Sequence, residues 1–116
     1  MKVLFRVDAS PEIGFGHAMR CLALANAVQD AGGRSVFLMS QGGPQMSGRF
    51  ARQNIVWSLL VTEGRTSADA RETAAASRRS GSDWVVADGY GFDAAYQRIL
   101  VDEGVRLMIV DDGGRI

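Results

Sequence analysis

Five short apolar or β-branched runs punctuate the chain: VLFRV at 3–7, SVFLM at 35–39, IVWSLLV at 55–61, WVVA at 84–87 and VRLMIV at 105–110. Between them lie longer stretches with helical spacing. Residues 17–31 place apolar side chains at 21, 24, 25 and 28 and stop at Gly32-Gly33, the i, i+3, i+4, i+7 pattern followed by a C-terminal glycine signal. Met19, Leu22 and Ala23 fill another side of this helix, which predicts burial almost all round. Residues 45–53 make a weaker helix, spoiled by Gly48. Thr66 and Asp69 form a T-x-x-D variant of the capping box before an alanine-rich helix running to about Arg79. Asp93 can cap a last helix carrying Phe92, Tyr96, Ile99 and Leu100, which Gly104 ends. Strands that alternate with helices lie parallel, because each helix carries the chain back along the sheet before the next strand begins. The pattern therefore predicts an α/β domain, a Rossmann-like five-stranded parallel sheet of order 3-2-1-4-5 flanked by helices.

Composition narrows the partners. Thirteen basic residues balance thirteen acidic ones among 116, so the basic excess of a nucleic-acid binder is absent. The single cysteine, Cys21, cannot close an internal disulfide, which predicts a reducing, cytoplasmic setting. Arg6 and Asp8 interrupt the apolar start where a signal peptide needs an unbroken run. No apolar run approaches the ~20 residues of a membrane helix. The sequence reads as one domain, 1–116. Its end at DDGGRI, just past the fifth strand, suggests a domain of something larger.

In an open parallel sheet, ligands bind beyond the carboxyl ends of the strands, where the strand order reverses. For the order 3-2-1-4-5 that point lies between strands one and four. Their following loops are DASPEIGFGH, 8–17, and DGYGFD, 88–93. Topology alone brings Asp8, His17, Asp88 and Tyr90 toward one crevice, with Asp111 and Asp112 on the same rim. Gly14 and Gly16 permit tight turns and close ligand approach. The helix starting near His17 offers unpaired N–H groups and a positive dipole end, which suit an anion and disfavour a protonated imidazole. Arg20, one turn on, can meet a carboxylate or phosphate. A lone histidine at a helix start is as readily a polar surface residue, and Arg6 and Asp8 can simply pair along strand one. Asp93 is more readily a cap than a ligand, and Cys21 a small core residue. Asp111-Asp112 could bind a metal, but one histidine and one cysteine make a dedicated metal site a poor expectation. A dinucleotide fingerprint fails because its third glycine position is Met19 and no acid follows strand two, and no G-K-[ST] follows for a P-loop.

The opening MKVLFRVDASPEIGFGHAMRCLALA resembles the nucleotide-sugar hydrolases of pseudaminic acid biosynthesis, which release UDP from UDP-2,4-diacetamido-2,4,6-trideoxy-β-L-altropyranose. The family pattern is an R-x-D strand end, here Arg6 and Asp8, then G-x-G-H-x-x-R, here Gly14, Gly16, His17 and Arg20, then an L-A-rich helix. A D-x-Y-G element matches Asp88-Gly89-Tyr90-Gly91, and a D-D matches Asp111-Asp112. Gly89 stands where many relatives have histidine, which leaves the base on His17 alone. The resemblance implies the N-terminal half of a GT-B fold, with a C-terminal nucleotide-binding domain, absent from this chain, packing on the cleft face. It implies His17 and Tyr90 as catalytic residues. It further implies that Arg6, Asp8, Gly14, Phe15, Gly16, Arg20, Asp88 and Gly91 bind a UDP-sugar, with no metal or other cofactor. The implied reaction is water attack at the anomeric carbon with loss of UDP. Imidazole changes charge in the neutral range and so suits the role of general base. A chain holding half of the cleft is expected to hydrolyse nothing measurable by itself. Two other readings stay open: the acceptor-binding half of a GT-B glycosyltransferase, and a non-catalytic Rossmann-like binding domain.

Overall fold

The computed structural model describes residues 1–110. Nine elements alternate among these residues: β1 Lys2–Val7, α1 Gly16–Asp30, β2 Arg34–Met39, α2 Gly43–Arg52, β3 Val56–Leu59, α3 Ser67–Ser80, β4 Trp84–Asp88, α4 Ala94–Asp102 and β5 Leu107–Val110. The strands form one sheet in the order β3-β2-β1-β4-β5, every pair parallel. The predicted architecture and order are therefore those observed.

Alternation along β1 splits its side chains between two layers. Val3, Phe5 and Val7 join Ala18, Cys21, Leu22 and Ala25 of α1 and Met46 and Phe50 of α2 in one core. Phe37 stacks on Phe5 at 4.9 Å and meets Phe50 at 4.5 Å between ring centroids. On the opposite face, Leu4, Leu38, Leu60 and Val85 pack with Ala76 of α3, and Ala70 and Ala74 of α3 pack with Tyr96 and Leu100 of α4. The α2 sequence is poor for a helix, yet Met46 and Phe50, four residues apart, are 0% and 1% exposed. Burying each contributes about 1.5–3 kcal/mol, more than the ~1 kcal/mol that Gly48 costs the helix. Packing thus overrides propensity there.

Three local expectations change. Helix α1 is buried on one face only, with Met19 and Leu24 about two-fifths exposed, because the sheet covers a single side of it. Strands three and five are shorter than predicted, at four residues each, because each is an edge strand paired along one side. The capping box at α3 is half formed. Thr66 Oγ1 accepts the Asp69 N–H at 3.2 Å, but the Asp69 carboxylate turns into the core instead of back to residue 66. At α4, Asp93 caps as predicted, accepting the Tyr96 N–H at 2.9 Å.

Candidate active site

Among the described residues, the carboxyl edge carries two charge clusters, one on each face of the sheet. Parallel pairing sets Val7 opposite Asp88, so the Asp88 side chain shares the α1 side with Val7 and Val86. There its carboxylate, fully buried, gathers four donors. Arg20 contributes Nε to Oδ2 at 2.8 Å and Nη2 to Oδ1 at 2.6 Å. His17 Nδ1 lies 2.9 Å from Oδ1, and the Cys21 thiol points at Oδ2 from 3.5 Å. Burial, and then the neighbouring Asp88 charge, push the Cys21 thiol well above its ordinary pKa, so it stays protonated. The imidazole meets the ring of Tyr90 edge-on, with centroids 5.5 Å apart and planes at 90°. The His17 side chain is 12% exposed, whereas Tyr90 is 58% exposed and stands at the rim.

The loop before α1 presents this group. A turn closes at Gly14, where φ is +85° and the N–H donates to Ser10 O at 2.6 Å. Phe15 occupies the position that would cap α1, and no side-chain oxygen does so. Gly16 is the first helical residue, and a Cβ there would meet nothing within 4 Å. The loop therefore leaves room beside His17, as close approach of a ligand would need. Gly91 has φ +90°, and a Cβ there would fall 2.5 Å from Arg65 Cδ. Two constraints thus favour glycine at that position.

The second cluster lies on the α3 side and reshapes the expectation for Arg6 and Asp8. Arg6 is 0% exposed. Its Nε and Nη2 donate to Asp69, Nη2 at 2.8 Å, and its Nη1 donates to Asp8 Oδ1 at 2.8 Å. Burial opposes its charge, but the bonds to Asp69 and Asp8 outweigh that and hold the guanidinium protonated. Asp8 Oδ1 also accepts the backbone N–H groups of Ser40 at 2.6 Å and Gln41 at 3.2 Å. Burial raises the Asp8 pKa, but Arg6, the Ser40 N–H and the Arg65 charge, 3.0 Å from Oδ2, bring it below the usual range. Arg6 was expected to touch substrate, but it is sealed inside with its donors engaged. Asp8, 1% exposed, ties the β1 end to the loop after β2 through Oδ1, while its Oδ2 faces the Arg65 charge. The local ion pair between Arg6 and Asp8 is present, and it extends into a wider network.

Of the four residues that topology draws toward one crevice, His17, Asp88 and Tyr90 meet, joined by Arg20, while Asp8 turns to the opposite face with Arg6. Gly14, Phe15 and Gly16 lie in the loop before α1, and Gly91 lies in the loop after β4 beside Arg65. Asp111 and Asp112 lie outside the described residues. Sequence reading missed Asp69, which accepts Arg6, the Arg65 N–H at 2.6 Å, Thr73 at 2.8 Å and Tyr96 at 2.8 Å. It also missed Arg65 and Phe92, which stack as cation and ring at 5.6 Å. The available signal was Asp69 itself, an acid at a predicted first helical turn facing an arginine in a predicted buried strand. Among the described residues, no three His, Cys, Asp or Glu side chains converge as a metal site requires. No helix among them is long and apolar enough to cross a membrane.

No protein-family model matches the chain, and no curated protein does. Solved structures do. The chain is similar to MurG of Acinetobacter baumannii, with a TM-score of 0.65 and 17% identity over 94% of this chain and 35% of that one. It is also similar to a Listeria monocytogenes protein described as a UDP-N-acetylglucosamine 2-epimerase, with a TM-score of 0.64 and 15% identity over 97% of this chain and 31% of that one. At such identities the likeness is one of fold, a Rossmann-like α/β domain of the GT-B type. The chain spans about a third of the length of either structure.

Proposed function

We propose that this chain supplies one wall of the active site of a UDP-sugar hydrolase, with His17 as the general base. The observation that carries the reading is the His17–Asp88 contact at 2.9 Å, set beside Tyr90 at the carboxyl edge between β1 and β4. An ionised carboxylate only accepts hydrogen bonds. With the proton of Nδ1 donated to that carboxylate at 2.9 Å, Nε2 keeps its lone pair. A water held between Nε2 and the anomeric carbon loses a proton to Nε2 as its oxygen forms the new C–O bond. The bond from that carbon to the diphosphate breaks, and UDP leaves with the electron pair. A base of this kind contributes about 10²–10⁴-fold in rate. Tyr90 flanks the imidazole and helps to place the water or an N-acetyl group of the sugar. Asp88 orients His17 and does not touch substrate. The uncapped start of α1 offers its N–H groups to sugar or phosphate oxygens.

The fold neighbours are about three times as long as this chain, and the second is named for a UDP-sugar. Both support a cleft whose other wall is a second α/β domain that holds the nucleotide. The particular sugar, a UDP-linked diacetamido-trideoxy hexose, rests on the motif resemblance. The test uses the longest protein that the reading frame encodes, incubated with that UDP-sugar while UDP and free sugar are measured. His17→Ala and His17→Phe are expected to abolish turnover while leaving nucleotide-sugar binding largely intact. Turnover at the wild-type rate in either variant would refute the assignment. The exposure of Tyr90 favours one second reading, since an open rim admits an acceptor larger than water. The same base would then activate a sugar hydroxyl, and a glycoside rather than free sugar would accumulate.

A further inference from the structure

Arg20 sits where gripping a substrate and tuning a base make different demands. Its Nε and Nη2 form a two-pronged pair with Asp88, at 2.8 and 2.6 Å. The Asp88 side chain is fully buried, while that of Arg20 is 39% exposed. The same Nη2 lies 3.1 Å from His17 Nδ1, and Asp88 Oδ1 is 2.9 Å from that nitrogen. Three atoms thus close a triangle. Arginine can only donate, and an ionised carboxylate can only accept. Were Nδ1 bare, it would accept the Arg20 Nη2–H at 3.1 Å, but its lone pair would also face those of Oδ1 at the shorter 2.9 Å. With a proton on Nδ1, both donors converge on Oδ1. The ring then needs no second proton to satisfy Asp88, because the guanidinium already neutralises that carboxylate. Without Arg20, a buried anion would stand next to the ring and favour imidazolium, which cannot take a proton from water.

We propose that Arg20 is a positioning residue: by neutralising Asp88 it holds His17 as an uncharged Nδ1–H imidazole with Nε2 open for proton transfer, instead of gripping the substrate. Calling that open nitrogen a base rests on the hydrolase reading above. The tautomer and the charge balance do not. Among the described residues, the titratable and charged groups around the imidazole are Asp88 from β4, Arg20 and the Cys21 thiol from α1, and the Tyr90 phenol from the loop after β4.

His17 is the only histidine of the chain, so its ring nitrogens can be followed by long-range ¹H–¹⁵N correlation without ambiguity. The wild-type chain without substrate is expected to show a protonated Nδ1 and a bare Nε2 once the ring is neutral. In Arg20→Met the ring should keep its second proton to a pH about one unit or more higher than in wild type, the effect of a bare neighbouring anion. Arg20→Lys keeps a charge without the fork and should move less. A wild-type ring protonated on Nε2 would overturn the proposal. So would a folded Arg20→Met chain whose ring titrates within about 0.3 unit of wild type, or lower. Should Arg20→Met fail to fold, the wild-type tautomer and Arg20→Lys still decide. In the longest protein of the reading frame, the acid limb of the rate profile should move with the NMR midpoint while KM stays put. A raised KM with an unmoved limb would identify a substrate-gripping arginine and overturn the proposal. Failure of the hydrolysis assay alone would sink the hydrolase reading and leave the NMR result standing.

Discussion

Replacing Arg6 with methionine tests the buried network most directly. The side chain keeps its length and apolar stem but loses its charge. Arg6 is 0% exposed and makes three side-chain bonds to Asp69 and one to Asp8. Its loss leaves two buried carboxylates without their main cation. Breaking such a pair on one side costs about 3–5 kcal/mol. Asp69 retains the Arg65 N–H and the Thr73 and Tyr96 hydroxyls, and Asp8 retains the Ser40 and Gln41 N–H groups. These residual donors argue for the lower half of that range. A domain of this length has roughly 6–17 kcal/mol in total, so the variant should fold but melt roughly 12–16 °C lower. Urea unfolding at pH 7 measures the loss. The deficit should shrink on acidification, because protonating the orphaned acids removes the charge that Arg6 balanced. In wild type the trend is opposite. The folded-state pKa of Asp8 is depressed, so its stabilisation is present above its unfolded value near about 4 and is lost as pH falls below that. Arg6→Met/Asp69→Leu, which removes both partners, should recover part of the loss, since apolar replacement of a whole buried pair is often close to neutral. A loss under about 1 kcal/mol at pH 7, the worth of an exposed pair, or strict additivity in the double variant, would refute the account.

Two further predictions concern alkaline pH and the loop after β4. Burial raises the pKa of the Cys21 thiol, with Asp88 adding to it, and burial and then Asp69 raise that of the Tyr96 phenol. Both contributions are complete below the unfolded values near about 8.5 and 10, and they fade as pH rises past them because only the unfolded chain then ionises. Urea midpoints should fall from pH 8 to 10, and Cys21→Ala should flatten the early part of that fall. An unchanged slope in that variant would count against a protonated native thiol. Gly91→Ala meets both the left-handed backbone at φ +90° and the Arg65 stem 2.5 Å from its Cβ. It should cost about 1–3 kcal/mol, with a shift of the Tyr90 ring resonances. A neutral effect on both would show that the loop relaxes freely.

Much of the fold was legible because the signals were periodic. Five apolar runs separated by helical patterns dictate a parallel sheet, and the caps at Thr66 and Asp93 have local causes. Edge strands read too long, since β3 and β5 cover only the paired residues Val56–Leu59 and Leu107–Val110 within longer apolar runs. Helix α1 reads as fully buried because Met19 and Leu24 look like core in one dimension, while the sheet covers only one side of a helix. His17, Asp88 and Tyr90 were legible through topology, because strand ends converge whatever the side chains do; Asp8, drawn to the same crevice by that reasoning, turns to the opposite face. Asp69 and Arg65 were not legible in that way. Arg6 lies 63 residues from its partner Asp69, Arg65 meets Asp8 from a distant loop, and no periodicity encodes which acid an arginine meets.

The two motifs at the carboxyl edge look alike in sequence, each an acid at or just past a strand end, yet the period of two sends them to opposite faces. Val7, not Asp8, lies across from Asp88 in the β1–β4 register. Arg6 and Asp8 therefore turn toward α3 and tie the ends of β1, β2 and α3 together, while Asp88 turns toward α1 and holds the imidazole. Substitutions in the first set should act on stability. Those in the second should act on proton transfer while the melting temperature changes little, except at Asp88, whose removal leaves Arg20 without that carboxylate. His17→Phe makes the separation testable: the ring is at the rim of the core and 12% exposed, so its loss should cost under about 1 kcal/mol of stability while abolishing turnover. A His17→Phe protein that melted as early as Arg6→Met would show that the two faces form one cooperative network and not a scaffold carrying a separate site.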